Sequence, residues 1–218
     1  MKKGEKKKQV KALKKRSREK LSRMQTQSIA PVSALHHIRR AREYPIEGCW
    51  VMRNWKANGL TIVVVARRQP DGNIVFGNYL VDYYCLGVKD AYYNAGILPG
   101  EFRRDYLLRL FRGDKPVEIS PALAHELIYG SIEYAARFGF KPHRDFKIAQ
   151  YILDPPDAHP RSGSVEFGKD GKPLYISGPY DDADAIVRQL MRMAGAGNFN
   201  YLMQVGPPAD WAEMDGEN

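Results

Sequence analysis

The residue in this sequence with the most evident chemical potential is Asp82, within YLVDYYCLGVKDAYY at positions 79–93. In an extended strand Asp82 shares one face with three apolar side chains, those of Ile74, Phe76 and Leu80. An unpaired carboxylate buried among them is strongly unfavourable, and it requires a cationic partner, a metal ion or a bound proton. Arg67 or Arg68 on the adjacent strand is the simplest structural partner, and a catalytic or metal-binding role for Asp82 is the alternative.

Cys85, near the middle of the same stretch, could act as a nucleophile. It would need His125 or His143 to take the thiol proton, and a carboxylate such as Asp145 to orient the imidazole. A free cysteine is equally common as a small apolar residue of a protein core. The sequence leaves both interpretations of Cys85 open.

A third set of polar residues recurs every four positions along one predicted helix. His125, Tyr129 and Glu133 share a face of that helix, because residues four apart lie one turn above each other. They could line a pocket that contains a proton-transfer pair, or they could form the polar margin of a core helix. The residues that we consider as candidate catalytic groups are Asp82, Cys85, His125, Glu133 and His143.

Metal binding receives little support from the spacing of ligand-type residues. Asp154, Asp157 and His159 offer oxygen and nitrogen ligands in a proline-rich loop, but no fourth ligand follows at a recognisable spacing. We therefore predict no metal site and no cofactor, and a divalent metal ion enters only as an option for a nuclease.

The elements that must position these residues begin with a β-rich segment. Residues 46–85 contain three runs rich in β-branched and aromatic residues, separated by an Asn-Gly pair at 58–59 and a Pro-Asp-Gly turn at 70–72. Such turns supply the φ angles that hairpins require, so we predict a three-stranded antiparallel meander. The middle run is apolar on both faces over 62–66, which predicts cover on both sides of the sheet.

The next segment, residues 90–153, is predicted to be helical. It starts with a short helix over KDAYYNAG at 89–96, followed by helices with apolar residues at helical spacing. The helix with the clearest boundaries has Ser120 as its N-cap, Pro121 in its first turn and Gly139 as its C-terminal stop. Helices that cluster after a meander favour an α+β fold over a parallel doubly wound sheet.

A second β-hairpin, joined through residues 169–172, is predicted next, followed by a helix and a last strand. The sequence does not decide whether these strands extend the first sheet. We expect a single α+β domain over residues 29–208, between a basic helical arm and an acidic tail. The predicted segments are the arm 1–28, the meander 46–85, the helices 90–153, the hairpin–helix–strand unit 164–205 and the tail 209–218.

The positive charge of the chain is concentrated at its N-terminus. The chain of 218 residues has a formal net charge of +9. Residues 1–24 hold twelve Lys or Arg and two Glu, a net of +10, which leaves 22 basic and 23 acidic residues, a net of −1, for the remainder. Such a block of charge is typical of segments that contact nucleic acid, and a solvated tail is the alternative. Its thin apolar stripe predicts a helix that forms on a partner.

The candidate contacts to nucleic acid include basic residues for phosphates and tyrosines that could stack on unpaired bases. The basic surface continues past the arm into a helix that ends before Pro45. The candidates are Lys6, Lys7, Lys8, Lys11, Lys14, Lys15, Arg16, Arg18, Arg39, Arg40, Tyr83 and Tyr84.

Three functions fit these observations, and the sequence does not decide whether the protein is an enzyme. The favoured one is a nucleic-acid-binding accessory protein that associates with RNA, rather than DNA, or with a ribonucleoprotein. The second is a nuclease or other hydrolase with a pocket around Asp82, His125, Glu133 and His143. The third is a protein-interaction subunit of a larger complex.

The expected location is the cytoplasm. The two cysteines of the chain give no disulfide framework, which is typical of proteins kept under reducing conditions. No apolar run approaches the ~20 residues that a membrane helix needs, so we expect no membrane partner.

Overall fold

The computed structural model of the protein describes residues 32–57, 59–111 and 116–203. The predicted arm over 1–28 and the predicted tail over 209–218 lie outside these described residues. Strands and helices follow one another in an order that confirms the α+β prediction.

A short helix precedes the sheet and packs against it. Helix α1 spans Val32–Arg39 and is followed by a 3-10 turn, Ala41–Glu43. The helical stretch therefore ends before Pro45, as the sequence predicts, because the residue before a proline disfavours helical geometry. Ile38 is fully buried and belongs to the main core, so this helix covers part of one face of the sheet.

The main sheet has five antiparallel strands in the order β4-β3-β2-β1-β5. The strands are β1 (Ile46–Val51), β2 (Leu60–Arg68), β3 (Ile74–Asp82), β4 (Gly87–Ile97) and β5 (Val117–Ile119). The first three form the predicted meander. Strand β2 pairs with β3 along its whole length, with Leu60 opposite Asp82 at one end and Arg68 opposite Ile74 at the other.

The prediction of a short helix over 89–96 is wrong, because this segment lies inside β4 and pairs with β3. The connection between the two strands, residues 83–86, is buried, and it ends at Gly87, whose φ of 74° is one that glycine adopts without strain. The carboxylate of Asp82 stabilises this connection, because it accepts hydrogen bonds from the backbone N–H groups of Tyr84 (3.1 Å) and Cys85 (2.9 Å). Gly87 indicates that the chain turns here, but it does not indicate whether a strand or a helix follows.

Both faces of the sheet carry a core, as the apolar middle strand predicts. On one face Val63 and Val65 of β2 pack in a large cluster with α1 and the helices of residues 121–152. On the other face Val64 and Phe76 pack against the helical segment that follows β4. The ring of Phe76 lies 5.0 Å from that of Phe102, measured between centroids. The strands are thus buried on two sides.

Three helical segments follow β4, the first of them before β5, and two of the three contain a π-helical stretch. Segment α2 (residues 99–110) consists of Pro99–Glu101, π-helical Phe102–Leu107 and Leu108–Leu110. Segment α3 (residues 121–136) consists of Pro121–His125, π-helical Glu126–Gly130 and Ser131–Ala136. Segment α4 (Phe146–Ala149) runs into a 3-10 turn, Gln150–Ile152. No helix in the described parts of the chain is long and apolar enough to cross a membrane.

The boundaries of α3 agree with the sequence signals. The hydroxyl oxygen of Ser120 accepts a hydrogen bond from the backbone N–H of Leu123 at 3.2 Å, which is the contact of an N-cap. Gly139 has a φ of 78°, in the left-handed region that commonly ends helices. These local rules determine where the helix that carries His125 begins and where the chain leaves it.

The C-terminal unit differs from the predicted hairpin. Strand β6 (Leu174–Ile176) pairs in parallel with β7 (Asn200–Leu202), and helix α5 (Ala183–Met193) connects them. Residues 169–172 form the predicted tight turn, but SVEFG at 164–168 is not a strand. The expected hairpin is therefore wrong: β6 finds its partner across a helix, and no local turn signal specifies such a pairing.

Candidate functional site

A polar cluster forms where the loop of residues 154–164 lies against α3. We call it the histidine cluster, and its members are His125, Glu133, Asp154, His159 and Arg161. It contains two of the five residues that the sequence suggests as catalytic. The loop supplies the other three members from positions that are more than twenty residues away along the chain.

The histidine cluster is anchored to the sheet by a buried ion pair. The guanidinium of Arg67, which is buried, donates to Asp154 Oδ1 at 2.5 Å. It also donates to the backbone carbonyls of Tyr44 (2.7 Å) and Ile152 (2.6 Å). All of these contacts are charge-assisted, and they satisfy a cation that would otherwise be costly to bury.

The prediction that Arg67 or Arg68 is the partner of Asp82 is wrong. The register of β2 and β3 places Arg67 opposite Val75, at the other end of the pair from Asp82. Arg68 instead pairs with Glu47 at 2.6 Å. The sequence identifies the adjacent strand correctly, but the distance along it rules out the contact.

Asp154 also holds the imidazole of His159. Its Oδ2 accepts a hydrogen bond from His159 Nε2 at 2.8 Å. Burial raises the pKa of Asp154, but the hydrogen bonds from His159 and Arg67 outweigh that effect and hold the pKa below its usual value. A carboxylate in this position accepts from Nε2 and thereby fixes which ring nitrogen carries a proton.

His125 contacts the backbone of the loop and the side chain of Arg161. Its Nε2 lies 2.8 Å from the carbonyl of Pro155, which can only accept, so Nε2 carries the proton. Its Nδ1 then faces the guanidinium of Arg161 at 3.3 Å as an acceptor. Burial lowers the pKa of His125, and the neighbouring charges of His159 and Arg161 lower it further, against the effect of the Pro155 contact. The neutral imidazole is therefore the favoured form.

The polar face predicted for α3 is present, and Arg161 from the loop contacts it. The rings of His125 and Tyr129 lie 4.6 Å apart between centroids, and Arg161 donates from Nη2 to Glu133 Oε1. Helical periodicity indicates the shared face of the three residues, but it does not indicate Arg161. No spacing rule marks an arginine in a distant loop as their partner.

The histidine cluster has the elements of proton transfer but no nucleophile. In the described parts of the chain, neither imidazole forms a hydrogen bond with a Ser, Thr or Cys side chain, and the hydroxyl of Ser162 donates to Glu126 at 2.5 Å. The void beside Cys49, His125 and Asp154 has a volume of about 10 Å³, which is room for one water molecule. The described residues contain no group of three or more His, Cys, Asp or Glu that could hold a metal ion. The arrangement stabilises the loop against α3.

Asp82 and Cys85 lie together, away from the histidine cluster. Burial raises the pKa of Asp82 to about 6, and the charge of Lys89 and the backbone N–H groups of residues 84–86 only partly offset this. Burial also raises the pKa of the Cys85 thiol, so the thiol stays protonated at neutral pH. Cys85 packs in a small cluster with Tyr175, Leu190 and Phe199. Its surroundings favour the packing interpretation.

His143 belongs to a third environment. Its Nδ1 lies 3.5 Å from Asp90 Oδ1 and 3.7 Å from Asp145 Oδ2, between β4 and α4. The five candidate catalytic residues therefore fall into three separate sets of contacts, with Asp82 beside Cys85, His125 joined to Glu133, and His143 between two aspartates. The structure does not bring them to one pocket.

The prediction that Tyr83 and Tyr84 are exposed for stacking on bases is wrong. Only 3% of Tyr83 and 8% of Tyr84 is exposed. The hydroxyl of Tyr83 donates to the carbonyl of Trp55 at 2.5 Å, and its ring lies 4.9 Å from that of Tyr84 between centroids. The buried turn that connects β3 to β4 draws both rings into the core.

Exposed basic residues lie instead on α1, on the turn after it and on α4, which pack against one another. Arg40 bonds both carboxylate oxygens of Glu43, so its charge is largely compensated. Arg39 and Lys147 are exposed and have no acidic partner among the described residues. The arm residues from Lys6 to Arg18 lie outside the described residues.

Arg42 is the most constrained of these exposed cations. Its Nε donates to the carbonyl of Leu153 at 2.8 Å and its Nη2 to that of Gln150 at 3.2 Å. Its Cζ lies 5.7 Å from the centroid of the Tyr151 ring, within the range of a cation–π contact. We call Arg39, Arg42, Lys147 and Tyr151 the Tyr151 surface.

Comparisons with models of known protein families, with curated proteins and with solved structures found no match to this chain. Its candidate sites are therefore judged by their chemistry alone.

Proposed function

We propose that this protein binds nucleic acid, RNA in preference to DNA, through its basic N-terminal arm. The observation that carries the proposal is the separation of charge, with a net of +10 in residues 1–24 and −1 in the remainder. Each phosphate that a Lys or Arg neutralises releases condensed counterions, and this gives a strong, sequence-independent affinity. A neutral body would add little long-range attraction of its own, so the arm makes the first contact.

The folded residues nearest the arm support the same partner. Helix α1 begins at Val32, eight residues after the basic segment ends at residue 24. Eight extended residues span at most about 28 Å. A strand of phosphates held by the arm can therefore also reach the uncompensated charges of Arg39 and Lys147.

The proposed setting is a cytoplasmic ribonucleoprotein or RNA. Cys49 and Cys85 are both free and buried, as expected of a protein that stays in a reducing compartment. The hydrolase alternative loses its support, because Asp82, His125 and His143 have separate contacts. We therefore propose the role of a binding accessory.

The test is the salt dependence of RNA binding, measured by fluorescence anisotropy with a labelled oligonucleotide. If six to ten phosphates are contacted, affinity should fall by about 10³-fold or more between 50 and 200 mM salt. Deletion of residues 1–24 should remove most of that dependence, whereas an arm with its order of residues scrambled should retain it. Binding that is independent of salt, or unchanged by the deletion, would refute the proposal.

A further inference from the structure

We propose that the Tyr151 surface is a stacking site for the unpaired bases of a single-stranded nucleic acid. This inference rests on the proposed function, because the arm supplies the phosphate contacts that bring the strand to the domain. It adds a preference that the arm cannot provide, since lysines that neutralise phosphates do not distinguish a single strand from a duplex.

The first argument is the state of Arg42, which is fixed but not neutralised. Its hydrogen bonds go to the carbonyls of Gln150 and Leu153, and neither partner carries a formal charge. A guanidinium held in this way keeps its full positive charge for a phosphate. Its planar face is also already oriented, so little side-chain entropy is lost when a ligand binds. Most exposed arginines lack this restraint.

The second argument is the exposure of Tyr151. Its exposed fraction is 36%, and its ring contacts no other aromatic ring among the described residues. By contrast, Tyr83, Tyr84 and Tyr106 all pack on neighbouring rings. Aromatic packing thus does not explain why Tyr151 lies at the surface. An aromatic ring beside a guanidinium is the usual platform on which proteins stack unpaired bases.

The third argument is the charge around the ring. Lys147 precedes Tyr151 by four residues in the continuous helical stretch of residues 146–152. Helix α1, whose last residue is Arg39, packs against the 3-10 turn that contains Tyr151. The acidic residues next to them in sequence are engaged elsewhere: Glu43 bonds Arg40, and Asp145 lies beside His143 and Arg144. The exposed cations Arg39 and Lys147 therefore lie on the elements that adjoin Tyr151. In a duplex the bases are already stacked and paired, which leaves none for the ring.

The experiment separates bases from phosphates. Affinities of the full-length protein are measured for a 12-nucleotide oligouridine and for an abasic ribose-phosphate strand of the same length. Stacking on one ring should make the oligouridine bind about tenfold more tightly at equal salt. Tyr151→Leu should abolish this difference, and Tyr151→Phe should preserve it. Because no charge changes, the slope of log affinity against log salt should be the same in both variants.

Two further variants serve as controls. Tyr180→Leu removes a tyrosine that is 63% exposed in the C-terminal unit, and it should leave the preference for bases unchanged. Arg42→Lys keeps the charge but removes the planar group, so it should reduce the preference independently of Tyr151. Near-ultraviolet circular dichroism verifies that each variant is folded.

The outcomes distinguish this inference from the proposed function. If the wild type binds both strands equally, or if Tyr151→Leu and Arg42→Lys retain the full preference for bases, the stacking site is refuted. The salt dependence of the arm would then still stand. If neither strand binds at low salt, both the proposed function and the stacking site are wrong.

Discussion

Replacing Asp82 by Asn should stabilise the protein at neutral pH, although Asp82 is a hydrogen-bonded carboxylate. The side chain is 7% exposed, and its Oδ1 accepts from the backbone N–H groups of Tyr84 and Cys85. An asparagine oxygen can accept these two bonds, although the amide NH2 group cannot accept from the backbone N–H of Leu86, which also acts on the Asp82 carboxylate. The substitution removes the negative charge, which is buried in the folded protein. Among the described residues this charge has no ion-pair partner of its own, because Lys89 is bonded to Asp181.

The size of the effect follows from the pKa of Asp82. Burial raises this pKa from 3.8 to about 6, a shift equivalent to roughly 3 kcal/mol. The unfolded chain releases the proton near pH 4 and the folded chain near pH 6, so the folded state binds more protons between these values. Stability from this group is therefore fully present below pH 4 and is lost as the pH rises through 6. An asparagine side chain does not titrate, so the Asp82→Asn variant should not lose it.

The measurement is the free energy of unfolding in urea at a series of pH values from 4 to 8. Asp82→Asn and the wild type should be similar at pH 4, and the variant should be more stable by roughly 3 kcal/mol at pH 8. For a domain of this size such a difference raises the melting temperature by about 6 to 12 °C. The dependence of the unfolding free energy on urea concentration should not change.

Asp157→Asn is the matched control, because Asp157 is exposed and has no ion-pair partner among the described residues. Its stability should stay within about 0.5 kcal/mol of the wild type at every pH. The reasoning fails if Asp82→Asn is less stable than the wild type at pH 8. That result would mean that a favourable charge interaction holds Asp82, as expected of a catalytic or ligand-binding carboxylate.

Two further predictions concern packing. Gly130→Ala should destabilise the protein by about 1 to 3 kcal/mol, because a Cβ at this position would lie 2.2 Å from the ring of Phe167. Gly100→Ala, also in a helical segment, meets only the end of a flexible arginine and should be neutral or slightly stabilising; equal effects in urea unfolding would contradict the packing argument. Cys49 and Cys85 should not react with a thiol reagent in the native protein at pH 8, because burial protonates and covers both thiols. Full reaction after unfolding is the control, and rapid native labelling of Cys85 would revive the nucleophile hypothesis.

The meander could be predicted from the sequence because its turns are local. The Pro-Asp-Gly turn at 70–72 lies between the end of β2 and the start of β3, and Gly59 directly precedes β2, although β1 already ends at Val51. Strand β4 could not be predicted in the same way, because Gly87 indicates a turn but not the type of element that follows it. Strand β6 pairs with β7 across α5, and such a choice depends on tertiary packing. Elements that local turn residues define could be predicted from the sequence, whereas contacts between distant segments could not.

The candidate site shows the same division. The helical spacing of His125, Tyr129 and Glu133 correctly indicated a shared face of α3. The sequence indicated Asp154 and His159 only as possible metal ligands. Their contacts with Arg67 on β2 and His125 on α3 join distant segments, which spacing along the chain does not indicate. The stacking candidates chosen from the sequence were buried, since tyrosines in a strand-rich stretch are equally suited to a core. Exposure depends on the packing of the whole domain, so the sequence could not select Tyr151.

Arg42 and Arg67 connect the histidine cluster to the Tyr151 surface through one short stretch of backbone. Arg42 donates to the carbonyls of Gln150 and Leu153, and Arg67 donates to that of Ile152. Residues 150–153, which include Tyr151, are therefore fixed by two guanidinium groups. Arg67 can be buried there because Asp154 compensates its charge. A ring that is already held in place loses less entropy when a base stacks on it. In the proposed interface the polar residues around Asp154 thus position the exposed ring of Tyr151. This role requires no nucleophile.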